Sequence, residues 1–252
     1  MQTLRERILW QYPFAAATAE PAKTTVSVLR RRAVEEADDE ARRLFESKVP
    51  SSRFQNAGRR SSSAGALSAA ARGTAHHTFQ ELVELERTGS TVELRNEAER
   101  LKNEGVLSAE EVAALDFDGL VSFWQSEMGR RIRARSADTH RELPFTVRFT
   151  ATELAAVGIR LDGVEDGTAT TADFIVVQGA VDLAVILPDE IWLVDFKTDQ
   201  VRPAELADKA GFYAPQLQLY ALALERIYQR PVRERWLHFL ELGRSVAVAG
   251  GG

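Results

Sequence analysis

Leu193-Val194-Asp195-Phe196-Lys197-Thr198 decides how this chain is read, because it sets an acid and a lysine two residues apart inside an apolar run. In a β-strand alternate side chains share a face, so Asp195 and Lys197 point one way while Trp192, Val194 and Phe196 pack behind them. A carboxylate and an ammonium buried in such a strand cost several kcal/mol unless a partner or a metal ion offsets them. The pattern points to a functional pair on an interior strand.

Outward from that stretch the strand pattern continues. Pro188-Asp189-Glu190 reads as the turn of a hairpin leading into Ile191 to Lys197, and Asp173 to Leu187 before it is apolar on both parities, which suits a central strand. In Gly179-Ala180-Val181-Asp182 the acid shares its strand face with Ala180 and Ala184, two small residues that leave room beside the carboxylate. Pro144 to Ala151 and Arg233 to Leu240 read as further strands, and Pro215 to Gln229 as a helix with proline in its first turn. Gln216 and Tyr220, four apart, lie on one face of that helix.

Nearer the N-terminus the period is helical. Ala69 to Thr88 reads as a helix closed by Gly89, with Ala75, Phe79, Leu82 and Val83 near one apolar stripe; His76 borders the stripe and His77 faces away from it. Ser108 with Glu111 is a capping box, after which Phe117, Leu120, Val121, Trp124, Met128 and Ile132 recur at the spacing of an amphipathic helix. Val26 to Lys48 is helical in propensity, and Pro50 to Gly65, rich in Ser, Arg and Gly, is the best candidate for a mobile loop. The expected fold class is α/β (mixed α+β), a central mixed sheet flanked by helices. Residues 1–25 are a lead-in, 26–135 a helical part and 136–245 a sheet-containing core.

Composition narrows the function classes. At 252 residues, 44% hydrophobic and 27% charged, the chain suits one large soluble domain. Cysteine is absent, which removes disulfides, iron-sulfur clusters and cysteine-based zinc sites and leaves the cytoplasm as the default. Charges at Arg5, Glu6 and Arg7 argue against a signal peptide, and the longest apolar run, Phe174 to Pro188, carries Asp182 and is too short to span a bilayer, so no membrane role is expected. A net charge of −5 argues against broad, sequence-independent nucleic-acid binding. Basic residues nevertheless crowd Lys23 to Arg72 and Arg130 to Arg135; solvated helix faces are the plainer reading, a phosphate-binding track the other. No Gly-x-x-x-x-Gly-Lys-Ser/Thr loop is present to hold nucleotide phosphates, so no ATP site is expected.

Asp182 and Asp195 lie on strands joined by a tight hairpin, so their carboxylates can converge. Hard divalent ions favour oxygen ligands, and Lys197 adds a positive charge where an attacking hydroxide or a phosphorane-like transition state would sit. Such a constellation is a site for metal-assisted phosphodiester hydrolysis.

The ordered set Gly73-Thr74-x-x-His77, Glu142-Leu143-Pro144-Phe145, Gly179-x-x-Asp182, Asp195-Phe196-Lys197-Thr198 and Gln216-x-x-x-Tyr220 resembles the RecB-type nuclease domain of the PD-(D/E)XK superfamily, with a restriction-endonuclease-like core. Lys23 to Leu29, with Trp10 and Tyr12 before it, is most similar to the C-terminal nuclease region of AddA-type helicase-nucleases. The resemblance implies that His77, Asp182, Asp195 and the Phe196 carbonyl hold Mg²⁺, with Mn²⁺ as the alternative. It assigns Lys197 to catalysis, Gln216 and Tyr220 to support of the site, and leaves Glu142 as a weaker candidate. It further implies a DNA substrate, single-stranded, a helicase motor normally in the same polypeptide, a role in double-strand break repair and an AddB-like partner subunit. The missing ATP loop makes the chain read as a fragment or detached domain, and the missing cysteines set it apart from iron-sulfur relatives. Two alternatives stay open: a catalytically inactive module that binds DNA or a partner subunit, and a stand-alone structure-specific nuclease.

Overall fold

The apolar runs around Asp182 and Asp195 form the two central strands of a six-stranded mixed sheet. The computed structural model describes residues 23–26, 29, 67–159 and 174–249. Within them the elements are β1 (Lys23–Thr25), α1 (Ala69–Leu82), α2 (Thr91–Asn103), α3 (Ala109–Ala113), α4 (Phe117–Gln125) and α5 (Glu127–Arg133). There follow β2 (Thr139–Thr150), α6 (Ala151–Ala156), β3 (Phe174–Ile186), β4 (Ile191–Lys197), α7 (Leu206–Tyr228), β5 (Val232–Phe239) and β6 (Arg244–Ala247).

Along one edge β3 pairs antiparallel with β2 over nearly its whole length. Its other edge is shared: residues 183–186 pair antiparallel with β4, and residues 176–178 pair parallel with β1. Beyond β4 the sheet continues through β5, parallel, and β6, antiparallel. Every residue of β4 is buried, as a strand covered on both faces requires. Trp192, Val194 and Phe196 pack with Phe79, Phe123 and Trp124 of the N-terminal helices. Ile191 and Leu193 pack with Leu217, Tyr220 and Leu224 of α7. By parity Asp195 and Lys197 emerge on the α7 side.

Several local features differ from the sequence reading. Helix α1 stops at Leu82, because Val83 turns to extended dihedrals and buries its side chain, whereas Leu82 is 40% exposed. The stripe from Phe117 to Ile132 is two helices, not one: Ser126 is extended, accepts from the Gly129 amide and caps α5. Helix α2 has no counterpart among the expected elements, although Ser90 at its N-cap and Arg100 and Lys102 in its last turn are ordinary helix signals. Helix α7 begins at Leu206, so Pro215 sits in its interior; burial of Ala210, Tyr213 and Leu217 along one face outweighs the backbone hydrogen bond that proline removes. Strand β6 is likewise an addition to the expected elements. The lead-in with Trp10 and Tyr12, the Val26 to Lys48 helix apart from Val26 and Leu29, the Pro50 to Gly65 loop and the basic section apart from Lys23 and Arg72 lie outside the described residues. No helix among the described residues is long and apolar enough to cross a membrane.

Candidate active site

Helix α1 approaches the end of β4 through Gly73, where a Cβ would stand 3.1 Å from Thr198 Oγ1. One turn later its two histidines part. His76 Nε2 accepts from the Asp116 amide at 2.8 Å, so Nδ1 carries the proton and donates to the Arg72 carbonyl, also at 2.8 Å. Both ring nitrogens are used, burial lowers its pKa, and His76 is structural. His77 turns to the sheet, with Nδ1 3.3 Å from Glu142 Oε1 and 3.5 Å from Asp182 Oδ1.

Glu142 reaches this position through an unusual backbone: φ is 46°, left-handed, in the middle of β2. A non-glycine residue held there costs on the order of 1 kcal/mol or more, and such strain collects at functional sites. The flanking pairs Arg141↔Leu183 and Leu143↔Val181 put Glu142 opposite Asp182. Arg141 ties the same strand to α1 by donating to the carbonyls of Gln80, at 3.2 Å, and Val83.

The β3–β4 ladder runs from Ile186↔Ile191 to Leu183↔Val194 and stops one position short of the two acids. There Asp182 Oδ2 accepts from the Phe196 amide at 2.7 Å, so a side chain takes the place of a backbone partner. His77, Glu142 and Asp182 thus offer one imidazole nitrogen and two carboxylate oxygens within 4.8 Å of one another, all half-buried, a donor set that fits a divalent cation. Burial above all, and then the charge of Asp195, push the Asp182 pKa up to about 7 against the pull of His77, Lys197 and the Phe196 amide. For His77, burial works downward, but Asp182, Glu142 and Asp195 together raise its pKa.

Asp195 and Lys197 form a second, more closed half. Asp195 Oδ2 pairs with the Lys197 ammonium, and Gln216 spans the two: its Nε2 donates to Asp195 Oδ1 at 3.1 Å and to Tyr220 Oη at 2.9 Å, while its Oε1 accepts from Lys197 at 3.3 Å. The Asp195 side chain is 1% exposed. Of the residues read from the sequence, His77 and Asp182 meet in one half with Glu142, and Asp195, Lys197, Gln216 and Tyr220 meet in the other. Asp195 lies outside the metal-sized set, near enough for its charge to act on both His77 and Asp182. Phe196 meets Asp182 through its amide.

Two neighbours of Lys197 escaped the sequence reading. The Tyr213 ring lies 4.2 Å from the ammonium, and its hydroxyl donates to Asp199 Oδ2. Tyr213 is three residues before Gln216 and seven before Tyr220, a helical signal hidden by starting the helix at Pro215.

Residues 22–246 match the PD-(D/E)XK nuclease superfamily. An ATP-dependent helicase/nuclease of the AddA type from Moorella thermoacetica is 32% identical over 98% of this chain and 16% of its own length. Proteins of the same name from Bacillus anthracis and Bacillus cereus are 29% identical over 96% of this chain and 19% of their own length. The chain spans less than a fifth of the length of the curated relatives it matches.

Proposed function

We propose, because the chain belongs to the PD-(D/E)XK nuclease superfamily, that this site hydrolyses DNA phosphodiester bonds with a divalent cation as cofactor. The observation that carries the reading is the pairing of a His77, Glu142 and Asp182 donor set with a buried Asp195–Lys197 ion pair. His77, Glu142 and Asp182 would hold Mg²⁺, or Mn²⁺ in its place, with Asp195 and the Phe196 carbonyl as further donors. The ion supplies Lewis acidity toward a phosphate oxygen and toward a water.

Lys197 donates hydrogen bonds from its ammonium, which orients the attacking water and stabilises the charge that develops on the phosphate. Asp195 and Gln216 fix that ammonium, and Tyr220 fixes Gln216 in turn. Thr198 and Gly73 keep α1, and with it His77, close to the end of β4.

The likeness to AddA-type helicase/nucleases supports a wider setting. In it, residues 1–25 continue from a helicase motor in the same polypeptide, and an AddB-like subunit completes the enzyme. The motor delivers single strands to this site in the cytoplasm during double-strand break end processing and recombinational repair. The test is cleavage of labelled single-stranded DNA by the purified chain with Mg²⁺ and with EDTA. Cleavage that requires the cation and is abolished in Asp182→Ala and Lys197→Ala is expected. Full activity in either variant, or equal activity in EDTA, overturns the reading.

A further inference from the structure

We propose that Tyr213, backed by Asp199, is a positioning residue that holds the Lys197 ammonium in its working place. The inference rests on the assignment of Lys197 to the reaction.

An ammonium has three donors and, when buried, needs a partner on each side. Lys197 is 8% exposed, so water does little of this. Asp195 Oδ2 and Gln216 Oε1 take two sides, and the face of the Tyr213 ring, 4.2 Å from the nitrogen to the centroid, covers another. A ring face attracts a cation through its quadrupole, most strongly where water is excluded, yet it has no lone pair to take the proton. It steadies the head without drawing it away from a water or a phosphate oxygen.

The ring is itself fixed. Tyr213 is 6% exposed, packs edge-on against Phe212 at 5.0 Å and sits 6.5 Å from Phe239. Its hydroxyl donates to Asp199, two residues beyond Lys197, so the strand end that carries the ammonium also anchors the ring beneath it. The Asp199 charge on that hydroxyl makes the ring face more negative, which favours the ammonium further.

The test compares Tyr213→Phe, Tyr213→Leu and Asp199→Asn in the full chain. One measurement is kcat and KM on single-stranded DNA with Mg²⁺. The other is the NMR shift of the Lys197 ε-methylene in ¹³C-lysine protein, assigned by its loss in Lys197→Arg. A ring beneath the ammonium shifts that methylene upfield; the shift should survive in Tyr213→Phe and vanish in Tyr213→Leu. In parallel kcat should fall about 10- to 100-fold in Tyr213→Leu with KM unchanged, and no more than about threefold in Tyr213→Phe and in Asp199→Asn, both of which keep the ring. Tyr213→Met replaces Tyr213→Leu if that variant does not fold. A folded Tyr213→Leu with wild-type kcat, or a Tyr213→Phe as slow as Tyr213→Leu, overturns the inference. The NMR reading needs no turnover: a wild-type chain that fails to cleave sinks the nuclease reading and this role with it. A cleaving wild type with an unshifted lysine sinks this inference alone.

Discussion

Replacing Gly179 by alanine should damage the fold and the site together, the site through the ring of Phe145. Gly179 stands on β3 three residues before Asp182, and a Cβ there would lie 2.8 Å from Cε1 and Cζ of Phe145 and 2.9 Å from Val26 Cγ2. Ordinary carbon contacts begin near 3.5 Å, so something must retreat by roughly 0.7–1 Å. Phe145 and Val26 are both in the way, and Phe145 stacks edge-on against Tyr220 with centroids 5.7 Å apart; Tyr220 accepts from Gln216, which spans Asp195 and Lys197. Overpacking a core costs about 1–3 kcal/mol, whereas losing a glycine from the unfolded chain returns about 0.4–1 kcal/mol, so a net loss of about 1–2 kcal/mol is expected. For a domain of this size that is a fall in Tm of about 2–8 °C. Urea denaturation of Gly179→Ala, Phe145→Leu and the double variant measures it, with cleavage assayed on each. Phe145→Leu should lower stability alone but restore part of what Gly179→Ala loses. An unchanged or raised Tm in Gly179→Ala, or strictly additive effects in the double variant, refutes the reasoning.

Other variants probe separate terms. His238 is buried beside the rings of Phe123 and Phe196 with Nδ1 2.9 Å from Ser245 Oγ, and burial lowers its pKa from 6.5 to about 4. Between those values the unfolded chain takes up a proton that the folded one refuses, so stability is whole above the upper value and falls as pH drops, by about 2–3 kcal/mol at pH ~4.5; His238→Gln should flatten this, and an equal loss in both by urea titration would refute it. Glu97, buried, accepts from the Glu84 amide at 3.0 Å and from Arg100 Nη2 at 2.7 Å, so Glu97→Ala should cost about 2–3 kcal/mol by urea titration; a change under ~0.5 kcal/mol would contradict this account. Ca²⁺ at about one hundred times its Kd should stabilise the wild-type chain by about 2.7 kcal/mol, and a His77→Ala/Asp182→Asn variant that melts higher to the same degree would place the cation elsewhere.

How much was legible follows from the period of each element. Strands β3 and β4 and the turn between them stand where the apolar run, Pro188 and Asp189 put them, because a hairpin is a local device whose signals lie within a few residues. The helix boundaries failed where tertiary burial overrode a local rule, as at Pro215, or where one apolar stripe hid a break, as at Ser126. At the site, parity alone grouped Asp195 with Lys197, and the apolar stripe separated His77 from His76. The place of Glu142 depends on a left-handed residue inside a strand, for which the string Arg141-Glu142-Leu143 carries no propensity signal. The contact of Tyr213 with Lys197 joins distant segments and needed the true start of α7.

The hairpin register brings the carboxylates of Asp182 and Asp195 close together. Ile186↔Ile191 through Leu183↔Val194 fixes the pairing, and the next rung would set Asp182 against Asp195. Like charges directly opposite in a ladder repel, by about 3 kcal/mol at roughly 5 Å and an effective dielectric of ~20. The ladder ends there, Asp182 takes the Phe196 amide instead, and the remaining repulsion is one cause of the raised pKa of Asp182. Lys197 answers Asp195, and Gln216 holds both, so that half of the site is balanced within itself. At the other half, among the described residues, Glu142 and Asp182 lie 3.3 Å and 3.5 Å from the imidazole of His77, and the Asp182 pKa, pushed up to about 7 by burial first and then by the charge of Asp195, keeps part of that charge protonated near neutral pH. A divalent cation entering there offsets charge that the register of β3 and β4 has already built, which is why its binding should add to stability and not merely to rate.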